Sequence, residues 1–263
     1  MSTVDDTLGR VRLTREGAVA HILFDRPQAH NAFTWEMWEE LDAVLIEVTA
    51  DTSLRVVTLR GAGEKAFVAG SDISQFREFT GGEDGIAYEA KMNRYFDRLL
   101  AVPVPTVAII DGWAAGGGLN LAACCDIRVA SRKAKFGSPI ARTIGNCVSM
   151  QTYARVLGGF GEARAKRMML LAEFIDAEEA YASGFLARLA EPETIDAVAE
   201  DVVKRLLENA PITLRVSKAA FGRIMARDID PADDLISLTY GSEDFRRGVE
   251  AFVNKTKPEW LGR

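Results

Sequence analysis

The stretch Thr106-Val-Ala-Ile-Ile-Asp-Gly-Trp-Ala-Ala-Gly-Gly-Gly-Leu-Asn120 runs from an apolar segment through three consecutive glycines into a helix-like sequence. Residues 106–110 have the composition of a buried strand, and the glycines open a predicted helix. Glycine lets the backbone approach a ligand closely, and a helix start leaves N–H groups without a partner. The stretch therefore predicts either a ligand-facing backbone or a tightly packed glycine turn.

A second stretch, Phe67-Val-Ala-Gly-Ser-Asp-Ile73, has the same plan: an apolar strand, a glycine and a possible helix start. We expect Ser71 to cap the helix that follows and Asp72 to be an acid of its first turn. Two N–H groups aimed at one carbonyl oxygen form an oxyanion hole, in which loss of one donor costs about 10² to 10³ in rate. Packing glycines alone are the more common origin of such stretches.

Strand-like and helical segments alternate along the chain before about residue 192. The strand-like segments are residues 11–16, 18–24, 54–59, 106–110 and 127–130, and the helical segments follow Thr34 and cover residues 84–100. This alternation predicts an α/β fold with parallel strand pairing. Farther along, the pattern is helical over residues 195–207, 214–226 and 232–253, which predicts a helical region packed on the core or on another subunit.

A dinucleotide-binding fold is the alternative that the glycines raise. Gly61-Ala-Gly-Glu-Lys-Ala66 matches a G-x-G-x-x-A string after a strand. A short apolar run over residues 66–69 follows it, where that fold needs a helix. We therefore interpret the match as accidental.

Composition excludes several classes of protein. The 263 residues are 48% hydrophobic and 27% charged, with a net charge of −6, which argues against recognising nucleic acid or membrane through bulk positive charge. No apolar run approaches the roughly 18 residues that a membrane span needs, and the first residues have no targeting pattern. Three cysteines and two histidines form neither a disulfide framework nor a metal-ligand spacing. We expect a cytoplasmic protein without a metal.

Several motifs together resemble the enoyl-CoA hydratase/isomerase (crotonase) superfamily over nearly the whole chain. They are DRPQAHNA at 25–32, AFVAGSDI at 66–73, VAIIDGWAAGGG at 107–118, CDIRVAS at 125–131 with AKFG at 134–137, and IDAEEA at 175–180 before Gly184. The resemblance implies an α/β fold with a core spiral of ββα units over residues 1–191. It also implies a C-terminal helical trimerisation region over residues 192–263, and a homotrimer or a hexamer made of two trimers.

The same resemblance implies a substrate and a site. The substrate is an acyl-CoA thioester, so coenzyme A is part of the substrate and no cofactor is tightly bound. The oxyanion hole maps onto the backbone N–H groups of Ser71 and Gly117, which would stabilise an enolate. The residues expected to contact substrate are Arg26, Gln28, His30, Ala69, Gly70, Asp72, Ile73, Trp113, Ile140 and Lys255.

The positions of the family's acids are unusual in this chain. Hydratases of the family use two glutamates, and the matching positions here are Asn120 and Ile140. No Asp or Glu occurs anywhere over residues 127–161, so a shift in alignment does not supply the second acid. Asn120 cannot exchange a proton near neutral pH, and it either hydrogen-bonds substrate or holds nearby backbone.

Arg142 stands close to the second acid position. Arg142 either binds a substrate carboxylate bidentately or is a surface or subunit-contact arginine. Trp113 either lines the acyl pocket or fills core. Glu243, Asp244 and Glu250, in the C-terminal helices, are alternative sources of a catalytic acid.

The sequence thus predicts an enzyme of the enoyl-CoA hydratase/isomerase family, a lyase or an isomerase, with Ser71, Gly117, Asn120 and Arg142 as its catalytic residues. Simple hydration of a 2-enoyl-CoA is not expected, because both glutamates are replaced. The alternatives are an isomerase, decarboxylase, dehalogenase or hydrolase acting on a carboxylated acyl-CoA, or a protein that binds acyl-CoA without turning it over.

Overall fold

The computed structural model describes residues 9–225 and 233–259, apart from the side chains of Asp234 and Leu235. The expectations for the first seven residues, for Ala226 and for Ala232 lie outside this range. Strands β1–β10 span Arg10–Glu16, Val19–Asp25, Val56–Gly61, Ala66–Val68, Thr106–Ile110, Trp113–Ala115, Ile127–Ser131, Lys135–Gly137, Ile175–Asp176 and Arg188–Ala190. Helices α1–α10 span Trp35–Ala50, Gly82–Leu100, Gly117–Cys124, Ile140–Thr143, Met150–Leu170, Ala177–Ala182, Ile195–Glu208, Pro211–Met225, Asp233–Tyr240 and Glu243–Val253.

The strands form two sheets. The larger sheet has the order β1-β2-β3-β5-β7-β10, and only the β1–β2 pair is antiparallel. The smaller sheet has the order β4-β6-β8-β9, in which β4, β6 and β8 are parallel. The predicted α/β class with parallel pairing is confirmed. The smaller sheet is a feature that the sequence pattern does not reveal, because its strands have only two or three residues each.

Helix α1 shows how local sequence and packing agree. The Thr34 side chain accepts a hydrogen bond from the Met37 N–H, which caps the helix as its sequence predicts. Trp38, Leu41 and Leu45 recur at helical spacing and are fully buried in the main core. Each of the two leucines contributes about 1.5–3 kcal/mol on burial.

The stretch at 61–66 is not a dinucleotide fingerprint. Strand β3 ends at Gly61 and strand β4 begins at Ala66, so a second strand follows where a helix would be needed. The short apolar run pairs with β6 in the smaller sheet.

The C-terminal helices pack on the rest of the protein through two separate apolar clusters. Helix α7 buries Ile195, Ala199 and Val202 against the larger sheet in a second apolar cluster. Helices α9 and α10 contribute Tyr240 and Phe245 to a third cluster.

The prediction of a single helix over residues 232–253 is wrong. Helix α9 ends at Tyr240 and α10 begins at Glu243. The Ser242 side chain accepts a hydrogen bond from the Phe245 N–H at 3.0 Å and so caps a new helix after Gly241.

Candidate functional site

The two glycine stretches lie side by side. Strands β4 and β6 are parallel neighbours, so the segments that follow them emerge at the same edge of the smaller sheet. Gly70 has a φ of 97°, which disfavours any other residue there. A Cβ atom added to Gly70 would lie 3.9 Å from the Gly117 nitrogen. The fold thus brings together the two segments that the sequence singled out.

The N–H groups of Ser71 and Gly117 have no acceptor among the residues that the structure describes. Gly117 is the first residue of α3, so its N–H lies outside the helical hydrogen-bond ladder. Ser71 lies opposite Phe33 in an isolated β-bridge. The backbone of Phe33 hydrogen-bonds there to the Gly70 carbonyl and the Asp72 N–H, and not to the Ser71 N–H. Two donors are therefore available at adjoining points of the backbone.

Close packing fixes this arrangement. Gly116 has a φ of 52°, and its N–H donates to the Gly137 carbonyl at 2.9 Å. A Cβ at Gly118 would lie 2.0 Å from the Val68 carbonyl oxygen, so α3 contacts β4 backbone to backbone. The Ser71 hydroxyl accepts from the Trp38 indole at 3.2 Å and lies 3.1 Å from the Tyr88 hydroxyl.

Asp72, and not Ser71, caps the turn that follows. The Asp72 carboxylate accepts from the Ser74 N–H at 3.1 Å at the start of the 3₁₀ helix Ile73–Glu78. Its other oxygen accepts from Arg26 at 2.9 Å. Partial burial acts to raise the Asp72 pKa, but the hydrogen bonds from Ser74 and Arg26 outweigh it and hold the pKa below its usual range. Arg26 and Asp72 together anchor the loop that carries the Ser71 N–H.

A cavity of about 160 Å³ opens beside these N–H groups. A cavity of about 150 Å³ in another protein holds benzene, so this one has room for a short acyl chain. Most of its wall is apolar. The predicted residues in the wall are Ala69, Gly70, Ser71, Ile73, Gly117, Asn120 and Ile140.

Asn120 is buried in this wall, with 2% of its surface exposed. Its Nδ2 donates to the Thr152 hydroxyl at 2.8 Å. Its Oδ1 is buried without a hydrogen-bond partner among the described residues. A buried acceptor without a partner is costly, and a donor on a bound molecule would satisfy it.

Glu89 lines the cavity although it is not among the residues that the sequence predicts for the site. It lies in α2, is 5% exposed, and is the only carboxylate in the cavity wall as far as the structure describes the chain. Its signal was in the sequence, since Gly85, Glu89, Met92 and Phe96 recur at helical spacing on the buried face of α2. A carboxylic acid on the apolar face of a helix is rarely buried without a reason, so the pattern indicates a candidate site residue.

The electrostatics of Glu89 depend on burial and neutral donors. Burial raises the pKa of Glu89 to about 7, although hydrogen bonds from the Tyr240 hydroxyl and the Ser149 N–H act to lower it. Those bonds are 2.9 and 2.7 Å long. Within the described part of the chain no cation pairs with Glu89, so it exchanges a proton near neutral pH.

The other predicted residues lie outside the cavity wall. Arg142 is exposed on α4. Trp113 is 41% exposed, and its ring packs edge-on against that of Phe174, with the ring centroids 4.7 Å apart. Gln28, His30 and Lys255 are exposed. Their roles toward substrate stay predictions.

The C-terminal acids do not reach the cavity. Glu243 pairs with Arg247 at 3.1 Å, and Glu250 is exposed. Neither they nor Asp244 line it. The carboxyl group in the cavity wall is that of Glu89, in α2.

The described residues include no cluster of three or more His, Cys, Asp or Glu suited to a metal. No helix in the described ranges is long and apolar enough to cross a membrane.

A sequence profile of the enoyl-CoA hydratase/isomerase family matches residues 14–263. The chain belongs to this family. It is 36% identical over 256 residues to the short-chain-enoyl-CoA hydratase of Clostridium acetobutylicum, covering 96% of this chain and 97% of that protein. It is 30% identical over 255 residues to the crotonyl-CoA hydratase of Syntrophomonas wolfei, covering 95% and 97%.

Solved structures of the family confirm the fold. The crystal structure of an enoyl-CoA hydratase/carnithine racemase from Magnetospirillum magneticum superposes with a TM-score of 0.78 at 34% identity, covering 96% of each chain. The expected crotonase-like α/β fold is therefore confirmed, as is membership of the enoyl-CoA hydratase/isomerase family.

Proposed function

We propose that this enoyl-CoA hydratase/isomerase family member binds an acyl-CoA thioester and stabilises the enolate of its acyl group. The backbone N–H groups of Ser71 and Gly117 would donate to the thioester oxygen. One observation carries this proposal: two N–H groups to which the described residues offer no acceptor lie on adjoining segments in the wall of one cavity. Relatives named as hydratases of enoyl-CoA esters support the choice of substrate.

The physical basis is charge stabilisation. When a proton leaves the α-carbon, negative charge accumulates on the thioester oxygen, and two fixed donors stabilise it without having to reorganise. The start of α3 adds positive potential at Gly117. Coenzyme A enters as part of the substrate, with the exposed Gln28, His30 and Lys255 as candidate contacts for it.

The reaction that follows the enolate depends on the groups available. Asn120 and Ile140 line the cavity where the family resemblance expects the two hydratase glutamates, so ready hydration of crotonyl-CoA is not expected. Isomerisation moves a proton between carbons and needs no water. No cation lines the cavity among the described residues, which favours an uncharged acyl group over a carboxylated one.

A chromophoric cinnamoyl-CoA tests the proposal, because its absorbance moves to longer wavelength when the thioester carbonyl is polarised. We expect that shift on binding to the wild type, and its loss in Gly117→Pro, which removes the N–H. Proline suits the first helical position.

Gly117→Ala is the matched control. It keeps the N–H, and its Cβ would lie 3.3 Å from the Trp38 ring, as would that of proline. A shift that survives in Gly117→Pro would contradict the assigned donor. If the wild type bound cinnamoyl-CoA without a shift in its absorbance, the protein would bind the ester without polarising its carbonyl.

We infer further that the chain forms a homotrimer or a dimer of trimers through the region of residues 192–263. Helix α8 supports this, because Ile212, Val216, Phe221 and Ile224 on it are all at least 60% exposed. Light scattering measures the assembly mass directly, and a monomer at micromolar concentration would contradict the inference.

A further inference from the structure

We propose that the Glu89 carboxyl is the catalytic group that transfers a proton to and from the acyl chain in the cavity. This inference rests on the proposed function, since it needs a thioester held at Ser71 and Gly117. Glu89 lies in the wall of the same cavity as both residues. It replaces the two family glutamates from a different element of the fold, helix α2.

The hydrogen bonds of Glu89 orient it without neutralising it. Its Oε1 accepts from the Tyr240 hydroxyl at 2.9 Å, and its Oε2 accepts from the Ser149 N–H at 2.7 Å. Each carboxylate oxygen keeps a second lone pair for a substrate proton. A buried carboxylate with a purely structural role is usually paired with a cation, and the described residues place none here.

Gly85 makes the arrangement possible. A Cβ at Gly85 would lie 2.2 Å from the Tyr240 ring, so the glycine one turn before Glu89 admits that ring against α2. Tyr240 also accepts from the Asn146 amide at 3.1 Å. Its hydroxyl is thereby directed at the carboxyl.

Asn120 connects to the same group. Its amide donates to Thr152, whose hydroxyl lies 3.2 Å from the Ser149 hydroxyl, and the Ser149 N–H holds Glu89. Asn120 is therefore a positioning residue. The position that matches the family's first glutamate is linked by hydrogen bonds to the relocated acid.

The titratable groups around Glu89 carry no charge near neutral pH. They are Tyr88, Cys147, Tyr153 and Tyr240, and burial raises the pKa of each one. The pKa of Glu89 itself, about 7, lies where a proton-transfer group works in both directions. A carboxyl with its usual pKa would be a poor acid there.

The proton step balances with the groups present. The Glu89 carboxylate takes a proton from the α-carbon, and the electron pair of that C–H bond moves onto the thioester oxygen between the two N–H groups. The carboxylic acid then returns the proton to the α-carbon or, in a 3-enoyl ester, to the γ-carbon. The second course converts an unconjugated ester into a conjugated one, with no oxidant, metal or water consumed. The ligand class is an uncharged acyl-CoA with a hydrogen on its α-carbon.

But-3-enoyl-CoA in D₂O tests this step. With the wild type we expect a rise in conjugated-thioester absorbance, or deuterium in the ester by mass spectrometry. Glu89→Gln should lower the rate by at least about tenfold, since general acid–base catalysis contributes about 10² to 10⁴. The shape of the site should persist, because the glutamine oxygen can accept from Ser149 while its NH₂ donates to the Tyr240 hydroxyl.

The control is Glu250→Gln, which removes an exposed glutamate of α10 and should leave the rate within about twofold. Cinnamoyl-CoA polarisation separates the two proposals. A Glu89→Gln protein that keeps the band shift and loses proton transfer supports the inference. Two results overturn the role of Glu89 but not the proposed function. One is a wild type that shifts the band without transferring a proton, and the other is a Glu89→Gln protein whose rate falls by less than about tenfold. A wild type that binds cinnamoyl-CoA without any band shift overturns the proposed function.

Tyr240→Phe decides the matter if Glu89→Gln does not fold. Removing the Tyr240 hydrogen bond raises the pKa of Glu89 further, because that bond acts to lower it. The acid limb of the pH–rate profile should move to higher pH, where more of the carboxyl is ionised. A limb that stays in place in a folded Tyr240→Phe protein overturns the inference.

Discussion

The Tyr240 hydroxyl donates a 2.9 Å hydrogen bond to Oε1 of Glu89, and this bond joins α9 to α2 at the carboxyl that lines the cavity. The two residues are 151 positions apart in the sequence. The C-terminal region therefore contributes to the site by orienting an acid rather than by supplying one. This relationship supports the proposal that Glu89 is the proton-transfer group of a family member without the two usual glutamates.

The stability of the protein should depend on pH through Glu89. Burial raises its pKa from 4.5 to about 7, so the unfolded chain loses this proton before the folded protein does. Stability from this group is therefore lost as pH rises from 4.5 to 7, by about 3 kcal/mol in total.

Glutamine does not titrate, so the stability of the Glu89→Gln protein should increase relative to that of the wild type as the pH rises from 4.5 to 7. Urea unfolding at pH 4.5 and pH 8, at one fixed protein concentration, measures the difference. A difference between the two proteins that is the same at both pH values would contradict the buried, uncompensated carboxyl.

The contact between α3 and β4 should tolerate no side chain at residue 118. In Gly118→Ala the new Cβ would lie 2.0 Å from the Val68 carbonyl oxygen, so backbone must move. We expect a loss of about 1–3 kcal/mol or more in unfolding free energy, together with loss of cinnamoyl-CoA polarisation.

Gly158→Ala is the matched control, because Gly158 lies in α5 with nothing within 4 Å of its added Cβ. This change should be neutral or stabilise by about 0.5–1 kcal/mol. Equal losses for the two alanines would refute the close-packing argument.

Asp72 should act through its cap and its ion pair. Asp72→Ala removes the acceptor for the Ser74 N–H and should cost about 0.5–2 kcal/mol. Asp72→Asn keeps a capping oxygen and loses only the charge that pairs with Arg26. Thermal unfolding should therefore rank wild type, then asparagine, then alanine. An asparagine variant as unstable as the alanine variant would show that the ion pair outweighs the cap.

Arg142 should have little effect on the acyl pocket, because it is exposed and lies outside the cavity wall. We expect Arg142→Met to bind butyryl-CoA and glutaryl-CoA with an unchanged ratio of affinities, as measured by calorimetry. A selective loss of glutaryl-CoA binding would restore the carboxylate-binding role that the sequence raised.

Local sequence predicted much of the fold and the two glycine segments that border the cavity. The strand over Thr106–Ile110, the cap of α1 at Thr34 and the glycine segments around Ser71 and Gly117 follow from chemistry within a few residues. The partners of Glu89 could not be predicted in this way, because Ser149 and Tyr240 meet it only through tertiary packing. The break at Gly241 was missed because the apolar pattern continues through it, and only the Ser242 cap interrupts the helix.

The most direct measurement is the infrared spectrum of butyryl-CoA labelled with ¹³C at its thioester carbonyl, free and bound to the wild-type protein. Two hydrogen bonds from Ser71 and Gly117 would weaken the C=O bond, so the carbonyl stretch should move to lower wavenumber on binding. The shift should shrink in Gly117→Pro and persist in Gly117→Ala. A bound ester whose carbonyl stretch matches that of the free ester would contradict the oxyanion hole.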